Sequence, residues 1–418
     1  MIFFYLRNSN FMIYIDITDT IKALHITGIQ RVVANIIKYS FKLDNVAFVE
    51  YDSALQVYIV IDKSDNRIFS LNIYKFKGNS KLFLYKLIKK LFSHDQIHFV
   101  IRTLNKIISL KYYILTSVNS VTTKKFMDCC TRDDTLFLVD SCWNYHPWME
   151  IKHAKERGVN VKQVVYDLLP IKYPDYFERV TNSNFKLWFE MIQYYCDELH
   201  AISQTTANDI RNESKFDHNK IKVMHLGSDI NEASPNNIDK LDKLDKKIRF
   251  LTVSTIEPRK NHRYALKVFD ELWSNGYVDI EWHIVGKEGW KSENLVKILK
   301  YHPMLEKNIF VYNYVSDQKL IELYSKSNCI LIPSIDEGYG LPIVEAIKNK
   351  CDILVSDIDI FREFNFSDDK YFSLQDNGHN LKLKILQHVN GQIEVSQTEN
   401  NNKIYSWKES VESLIGSL

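Results

Sequence analysis

Short β-branched runs alternate with longer helical stretches along the whole chain. Strands are predicted at 12–16, 46–50, 57–61, 135–139, 161–165, 199–203, 249–254, 280–285, 329–333 and 352–356. Several of these runs are apolar without alternation, which is typical of strands buried on both faces of a parallel sheet. Helical periodicity lies between them, for example at 29–40, 261–275, 317–326 and 341–350. We therefore expect an α/β chain with doubly wound sheets.

The polar segment SDINEASPNNIDKLDKLDKK, which ends at residue 247, separates two αβ halves of similar size. It has little to bury, and it predicts a linker between two α/β domains. Near the end of the chain, residues 404–418 show a helical apolar face that includes Trp407, Val411 and Leu414. Two such domains that face a cleft place ligands at the carboxyl ends of their strands.

The composition is that of an ordinary globular protein. Of 418 residues, 45% are hydrophobic and 25% are charged, and 54 basic against 52 acidic side chains leave a formal net charge of +2. This balance argues against a dedicated nucleic-acid binder, which carries a strong basic excess. No apolar run reaches the roughly 20 residues that span a bilayer. The opening MIFFYLRNSN lacks the basic leader and cleavage site of a signal peptide, so we expect none.

The cysteines and histidines favour a protein without a disulfide framework or a structural metal. None of the 6 cysteines forms a CxxC pair, and Cys329 and Cys351 lie in or beside apolar runs. Buried thiols and a reducing cytoplasm are therefore expected. No HExxH motif and no Cys/His cluster with zinc spacing occurs. The acidic pairs at 133–134 and 368–369 favour solvated loops over a DxD metal site.

The segment 329–350, CILIPSIDEGYGLPIVEAIKNK, holds the densest set of candidate binding residues. A buried strand runs into a turn with Glu337, Gly338 and Gly340, and Glu345 follows in the next predicted helix. The N–H groups at a helix start form an anion site, and glycines let a ligand approach the backbone. Carboxylates accept hydrogen bonds from the vicinal hydroxyls of a ribose or a hexose. A glycine turn followed by a solvated helix glutamate remains the plain alternative.

A second candidate segment is 249–269, where a buried strand runs out into Glu257, Arg259 and Lys260. A helix is predicted to start near Asn261, a residue type that favours N-caps. Two adjacent cations at a strand end and helix start would hold a diphosphate. A solvated charged turn is the alternative for these residues taken alone.

Together these segments resemble the retaining glycosyltransferases of the GT-B fold and family-4 type. EGYGLPIVE reproduces the family's pattern of two glutamates separated by seven residues, and STIEPRKNH resembles its donor-phosphate turn. IVGKEGW, YVSDQKLIELYSKSNCILIPS and VSDIDIFREF also match in the expected order. TGIQRVVANII and YDLLPIKYPDYF resemble the bacterial polysaccharide mannosyl- and rhamnosyltransferase branch. The resemblance covers most of the chain and implies two Rossmann-like domains that face an interdomain cleft.

The resemblance also implies a separate role for each part of the chain. Residues 1–228 would form the acceptor-binding domain, 229–247 the linker and 248–403 the domain that binds the nucleotide sugar. The helix in 404–418 resembles the family's terminal helix, which crosses back to the N-terminal domain.

Individual side chains receive roles from the same resemblance. Glu345 would hydrogen-bond the ribose of the nucleotide, and Glu337 would contact hydroxyls of the donor sugar. Arg259 and Lys260 would balance the diphosphate leaving group. The other donor-binding positions implied are Gly28, Thr255, Gly286, Lys287, Gly338, Tyr339, Gly340 and Leu341.

Two positions depart from the family pattern. The family usually has His where this chain has Tyr166, and that His contacts the donor sugar near its reacting face. A phenol with a pKa near 10 is not an ordinary base at pH 7, so donor choice and turnover depend on this residue. Many members also have Arg at the position of Thr255, and Arg259 compensates in the branch that reads EPRKN.

Acceptor contacts are expected from the N-terminal half. Arg31 lies near the first loop of that half, and Asp140 and Trp143 follow a predicted strand. Asp167, beside Tyr166, is a further candidate for the reaction centre. A structural loop role is equally compatible with these residues.

The reaction implied by the resemblance needs no metal. The acceptor hydroxyl would attack the anomeric carbon with retention of configuration, and the leaving phosphate would take its proton. Because no protein nucleophile stands out, the enzyme would act by positioning and charge stabilisation. Closure of the domains would exclude water.

The segment 74–92, YKFKGNSKLFLYKLIKKLF, has six lysines and no acidic residue. It fits a peripheral contact with an anionic membrane, where a lipid-linked acceptor would lie. A surface helix whose apolar face packs in the N-terminal core is the alternative.

Three functional hypotheses follow. The first is a cytoplasmic enzyme that moves a mannose- or rhamnose-like sugar to a bacterial surface glycan. The second is a non-catalytic nucleotide-sugar-binding scaffold of a glycan-assembly complex, which Tyr166 motivates. The third, a Rossmann dehydrogenase, is disfavoured because no GxGxxG follows an early strand.

Overall fold

The computed structural model describes residues 11–23, 28–65, 67–68, 124–228, 247–313, 315–390 and 404–418. The segment 74–92 and all but the last residue of the predicted linker 229–247 lie outside these residues. The described chain forms two sheets, one on each side of that linker. We refer to the part built on each sheet as the N-terminal and the C-terminal domain.

The N-terminal sheet has seven strands in the order β3-β2-β1-β4-β5-β6-β7. Their bounds are β1 Ile13–Asp16, β2 Val46–Asp52, β3 Val57–Ile61, β4 Thr135–Leu138, β5 Asn160–Val165, β6 Glu198–Ala201 and β7 Ile221–Val223. All neighbours run parallel except β2 and β3, which pair antiparallel.

The C-terminal sheet has six strands in the order β10-β9-β8-β11-β12-β13, and every pair is parallel. Their bounds are β8 Ile248–Val253, β9 Ile280–Val285, β10 Ile309–Tyr312, β11 Cys329–Ile332, β12 Asp352–Ser356 and β13 Tyr371–Phe372.

Helices cover both sheets. In the N-terminal half they are α1 Thr18–Lys22, α2 Gly28–Ser40, α3 Phe126–Cys129, α4 Trp148–Glu156, α5 Leu169–Lys172, α6 Arg179–Tyr195 and α7 Gln204–Glu213. In the C-terminal half they are α8 His262–Ser274, α9 Glu293–Lys300, α10 Asp317–Lys326, α11 Leu341–Lys348, α12 Asp359–Arg362, α13 His379–Val389 and α14 Trp407–Gly416. The two doubly wound sheets confirm the predicted fold class.

The order of strands fixes where ligands are expected. In each sheet the first strand in the chain lies inside the sheet, and the chain continues on one side of it before crossing to the other. This reversal, between β1 and β4 and between β8 and β11, opens a crevice at the carboxyl ends of those strands. The turn that follows β8 and the loop that follows β11 are the two segments singled out by the sequence.

Each sheet is buried on both faces because successive side chains of a strand point to opposite sides. In β1, Tyr14 belongs to one apolar core, whereas Ile13 and Ile15 belong to the other. The C-terminal sheet divides in the same way, with Phe250 on one face and Leu251 on the other. This two-sided burial explains the non-alternating apolar runs in the sequence.

The last helix, α14, packs on the N-terminal domain. Trp407, Val411 and Leu414 lie in the same apolar core as Ile13. Ser406 caps the helix in a capping box with Glu409. The apolar face of the last segment is thus buried in the domain that begins the chain.

The three described strands that the pattern did not predict, β7, β10 and β13, are edge strands of two to four residues. Such short runs carry little periodicity. Helix α8 also differs in detail, because Asn261 precedes it in a left-handed conformation (φ 56°) and makes no side-chain cap hydrogen bond. Within the described residues, no helix is long and apolar enough to cross a membrane.

Candidate functional site

The turn that follows β8 carries the predicted cation pair. Residues Pro258–Lys260 form one turn of 3₁₀-helix, and Asn261 then turns the chain into α8. Arg259 is anchored inside this turn, because its Nε lies 2.6 Å from a carboxylate oxygen of the buried Glu257. The cations therefore lie in the turn before the long helix and not in its first turn.

The loop that follows β11 brings Glu337 onto these cations. Arg259 donates to Glu337 over 2.9 Å, Lys260 forms an ion pair with the same carboxylate, and Ser334 donates to it over 2.7 Å. The backbone also joins the two segments, since the Ile335 N–H donates to the Arg259 carbonyl over 2.8 Å. Two loops from neighbouring strands thus meet in one charged cluster, which consists of Arg259, Lys260 and Glu337.

The charges of this cluster stabilise one another. Burial alone would raise the pKa of Glu337, but Lys260 and Arg259 lower it to about 2. Burial and the neighbouring Arg259 lower the pKa of Lys260, while Glu337 acts in the opposite direction. Glu337 is therefore a fixed anion that holds two cations together in a buried setting.

Helix α11 begins next to this cluster. Gly340 is its N-cap residue at φ 109°, a conformation that favours glycine, and Leu341 is its first residue. The first N–H groups of a helix have no partner within it, and its N-terminus carries partial positive charge. The two cations of the cluster and the start of α11 therefore lie at the same end of the C-terminal sheet.

Glu345, in the second turn of α11, contacts the opposite domain. Its carboxylate forms an ion pair with Arg31 of α2 and accepts a hydrogen bond from the Tyr324 hydroxyl over 2.8 Å. The side chain of Glu345 is only 3% exposed, while that of Arg31 is 35% exposed. The two glutamates of the family pattern therefore have different partners, one within its own domain and one across the cleft.

Further polar contacts join the two domains around this region. Lys172 at the end of α5 lies 2.6 Å from Asp336 and 3.0 Å from Asp209. Glu363 accepts from the first N–H groups of α7, at Gln204 and Thr205. The hydroxyl of Tyr339 donates to the Leu226 carbonyl over 3.3 Å, and Lys348 contacts the Ser228 carbonyl. The structure is therefore a closed arrangement of the domains.

The segment Gly286–Lys287 lies beside the turn that follows β8. A Cβ at Gly286 would stand 1.8 Å from the Ser254 carbonyl oxygen, so only glycine fits there. The Ile256 N–H donates to the Lys287 carbonyl over 2.9 Å, which places Lys287 next to the turn that follows β8, and burial lowers the pKa of its ammonium. Thr255 is half-buried in the same place.

Tyr166 points away from the position expected of a sugar-contacting residue. Its hydroxyl donates to the Val139 carbonyl over 2.6 Å inside the N-terminal core, and burial raises its pKa well above the usual value. Asp167 is closer to the charged cluster: burial raises its pKa, while Arg259 acts to lower it. The roles of Tyr166 and Asp167 at the reaction centre stay predictions.

The N-terminal domain contains two buried aspartates, Asp16 and Asp140, of which only Asp140 was expected from the sequence to be functional. Asp16 ends β1 and accepts hydrogen bonds from the hydroxyls of Tyr58 and Tyr145. Asp140 follows β4 and accepts from the backbone of Thr20 over 2.6 Å. Burial, followed by the negative charges of Asp16 and Asp19, raises the pKa of Asp140 to about 7. The sequence signal that could have identified Asp16 is its position at the end of the buried strand MIYID.

The other residues expected to bind the acceptor are dispersed. Trp143 packs against Phe185 and Trp188 with ring centroids 5.2 Å apart in both pairs. Gly28, which was expected to bind the donor, is exposed at the first position of α2, three residues before Arg31. Arg31 contacts Glu345 and thereby lies on the side of the cleft where the nucleotide was expected.

Among the residues that the structure describes, no group of three or more His, Cys, Asp or Glu side chains is arranged to hold a metal ion. All six cysteines are free thiols, and every one but the half-buried Cys129 is buried.

Parts of the chain resemble known proteins in sequence. Residues 233–404 match the family described as "Glycosyl transferases group 1". The chain is 31% identical over 259 residues to the serotype-specific mannosyltransferase WbdA of Escherichia coli, an alignment that covers 58% of this chain and 32% of that protein. It is 30% identical over 199 residues to the O-antigen chain mannosyltransferase RfbU of Salmonella typhimurium, covering 48% of this chain and 52% of the relative. The chain thus spans about a third to a half of these relatives.

Solved structures share the complete fold. HepE from Anabaena, crystallised with UDP and glucose, superposes with a TM-score of 0.63 at 13% identity and covers 98% of this chain and 100% of its own. The lipopolysaccharide outer core galactosyltransferase WaaB superposes with a TM-score of 0.54 at 14% identity, covering 97% of this chain and 99% of its own. At these identities the likeness establishes the two-domain fold alone.

Proposed function

We propose that this chain, whose residues 233–404 match the group 1 glycosyl transferases, transfers a sugar from a nucleotide-diphosphate donor. The acceptor is a hydroxyl of a glycan or of a lipid-linked saccharide in bacterial surface polysaccharide synthesis. The names of the relatives, a serotype-specific mannosyltransferase and an O-antigen chain mannosyltransferase, support a mannose-like sugar. A rhamnose-like sugar is the second choice.

One observation carries this proposal: Arg259 and Lys260 share the carboxylate of Glu337 between the carboxyl ends of two strands. A diphosphate that enters would exchange places with that carboxylate as the partner of the two cations. Glu337 would then have lone pairs available for the hydroxyls of the donor sugar. Because Glu257 also contacts Arg259, this cation keeps one anchoring partner when Glu337 is exchanged for the diphosphate.

The proposed reaction is a front-face substitution that retains the anomeric configuration. The oxygen of the acceptor hydroxyl forms a bond to C1 of the sugar, and the bond from C1 to the β-phosphate oxygen breaks. The hydroxyl proton passes to that leaving oxygen. Lys260, Arg259 and the start of α11 stabilise the negative charge on the diphosphate, which is why we propose a reaction that requires no metal.

We place this activity in the cytoplasm, where the six free thiols would remain reduced. The lysine-rich segment 74–92 lies outside the described residues, and its contact with the inner membrane stays part of the proposal.

The test begins with thermal-shift screening against GDP, UDP, dTDP and ADP. The nucleotide that stabilises the chain selects the sugar nucleotides, and GDP-mannose and dTDP-rhamnose are tried first on oligosaccharide acceptors, with and without EDTA. NMR of the product reports the anomeric configuration. An inverted anomer, or turnover that EDTA abolishes, contradicts the mechanism, and failure to bind any nucleotide contradicts the whole proposal.

The alternative is a nucleotide-sugar-binding scaffold without turnover. It is favoured by one observation, the engagement of the Tyr166 hydroxyl with the Val139 carbonyl, which leaves no side chain of that position in the cleft. Nucleotide binding without transfer or donor hydrolysis, across a broad panel of donors and acceptors, would select this alternative.

A further inference from the structure

The structure assigns Arg31 to the recognition of the nucleotide: we infer that its ion pair holds the carboxylate of Glu345 in position, so that the site discriminates a ribonucleotide from its 2′-deoxy analogue. This inference rests on the proposed function, because it takes Glu345 as the residue that meets the ribose. Arg31 was expected on the acceptor side, and its contact with Glu345 is what changes that expectation.

The carboxylate of Glu345 is almost completely removed from water. A side chain that is 3% exposed loses nearly all of its hydration, and burial of a charge is costly unless a partner compensates it. Arg31 supplies the contacting cation, and Tyr324 supplies a neutral hydroxyl. Removal of Arg31 would therefore take away the cation that contacts this carboxylate and one of the two groups that hold it in position.

The carboxylate of Glu345 can still accept further hydrogen bonds. An ionised carboxylate offers about four lone-pair positions. Arg31 occupies one on Oε1 and the Tyr324 hydroxyl occupies one on Oε2. One position on each oxygen is left, which suits the two neighbouring hydroxyls of a ribose. Both ribose bonds would be made to a charged acceptor and would be strong for that reason.

The two residues of this ion pair belong to different domains. Arg31 lies on α2 of the N-terminal domain, and Glu345 lies on α11 of the C-terminal domain. The pair forms only while the domains are closed. Full discrimination for ribose is therefore a property of the closed enzyme, which ties recognition of the nucleotide to the arrangement that excludes water.

The experiment measures dissociation constants by calorimetry for GDP and 2′-deoxy-GDP, and for UDP and 2′-deoxy-UDP, with the full chain. The wild type is expected to bind the ribonucleotide of its preferred pair at least ten-fold more tightly. Arg31→Met should reduce this ratio to less than three-fold, whereas Arg31→Lys, which retains a cation, should keep more of it. Arg179→Met, a change at an exposed arginine that begins α6, is the matched control and should leave the ratio unchanged.

A ratio in Arg31→Met equal to that of the wild type overturns the inference, as does an equal loss in Arg179→Met. A purely structural role for Arg31 would weaken both nucleotides alike and leave the ratio intact. Arg31→Gln serves as the second variant if Arg31→Met does not fold. Absence of nucleotide binding by the wild type contradicts the proposed function and this inference together. A preference of the wild type for dTDP, which is a 2′-deoxynucleotide, or an unchanged ratio in Arg31→Met contradicts the inference alone.

Discussion

Gly338 lies directly against the backbone of Tyr166 across the domain boundary. A Cβ at Gly338 would stand 2.3 Å from the Tyr166 carbonyl oxygen, a distance that real Cβ atoms essentially never show. The carbonyl of Gly338 also lies 3.4 Å from the Thr206 hydroxyl. Gly338 is therefore required for the contact between the domains. This requirement is independent of whether a ligand approaches the same glycine.

This contact predicts that Gly338→Ala opens the domains. The φ of Gly338 is not in the left-handed region, so alanine introduces no backbone strain there and the clash is with the other domain alone. We expect a larger radius of gyration in small-angle scattering and at least a ten-fold loss of transfer rate. Gly416→Ala, at a glycine with no atom within 4 Å of its ideal Cβ, is the control. An unchanged scattering profile would show that the backbone adapts.

A second prediction concerns the charged cluster. Lys260→Ala removes a cation from the leaving diphosphate, and we expect transfer to slow by more than ten-fold, or about 1.4 kcal/mol in activation free energy. The loss should appear mainly in kcat, because charge on the leaving oxygen increases in the transition state. Lys186→Ala, at an exposed position of α6, is the control. Wild-type kinetics in Lys260→Ala would remove this residue from the reaction centre.

A third prediction separates the structural and the catalytic roles of Tyr166. Tyr166→Phe leaves the Val139 carbonyl without its donor, and we expect the free energy of unfolding to fall by about 1–3 kcal/mol. Because the hydroxyl is directed into the core, kcat should stay within three-fold of the wild type. Chemical denaturation and transfer kinetics measure the two quantities. A kcat reduced by ten-fold or more in Tyr166→Phe would place this side chain at the donor sugar. A changed donor preference in Tyr166→His would do the same.

A fourth prediction follows from the buried Asp140, whose pKa is raised from 3.8 to about 7. As the pH rises through this interval, the unfolded chain releases the proton and the folded chain retains it, so this group contributes less stability at the upper end. Asp140→Asn does not titrate. We therefore expect the melting temperature of the variant, relative to that of the wild type, to be higher at about pH 8 than at about pH 5. An equal difference in melting temperature between variant and wild type at both pH values would contradict the raised pKa of Asp140.

The sequence predicted the interior of each sheet better than its edges. Runs such as 329–333 are long, apolar and β-branched, and their burial on both faces makes them recognisable without knowledge of their neighbours. The edge strand Tyr371–Phe372 has two residues, and only its pairing with β12 identifies it. For the site, the sequence sufficed where each motif directly follows a strand and the two strands are neighbours in the sheet, as for Lys260 after β8 and Glu337 after β11.

What the sequence by itself determined is the alternation of strands and helices and the chemical types that follow particular strands, because these depend on local periodicity and on residues close in the chain. Only the tertiary structure decided that Arg31 contacts Glu345, that the Tyr166 hydroxyl is directed into the core, and that Gly338 meets the opposite domain. These contacts join residues more than a hundred positions apart or depend on a side-chain rotamer. No local pattern encodes them, since each is set by how the two sheets pack and close on one another.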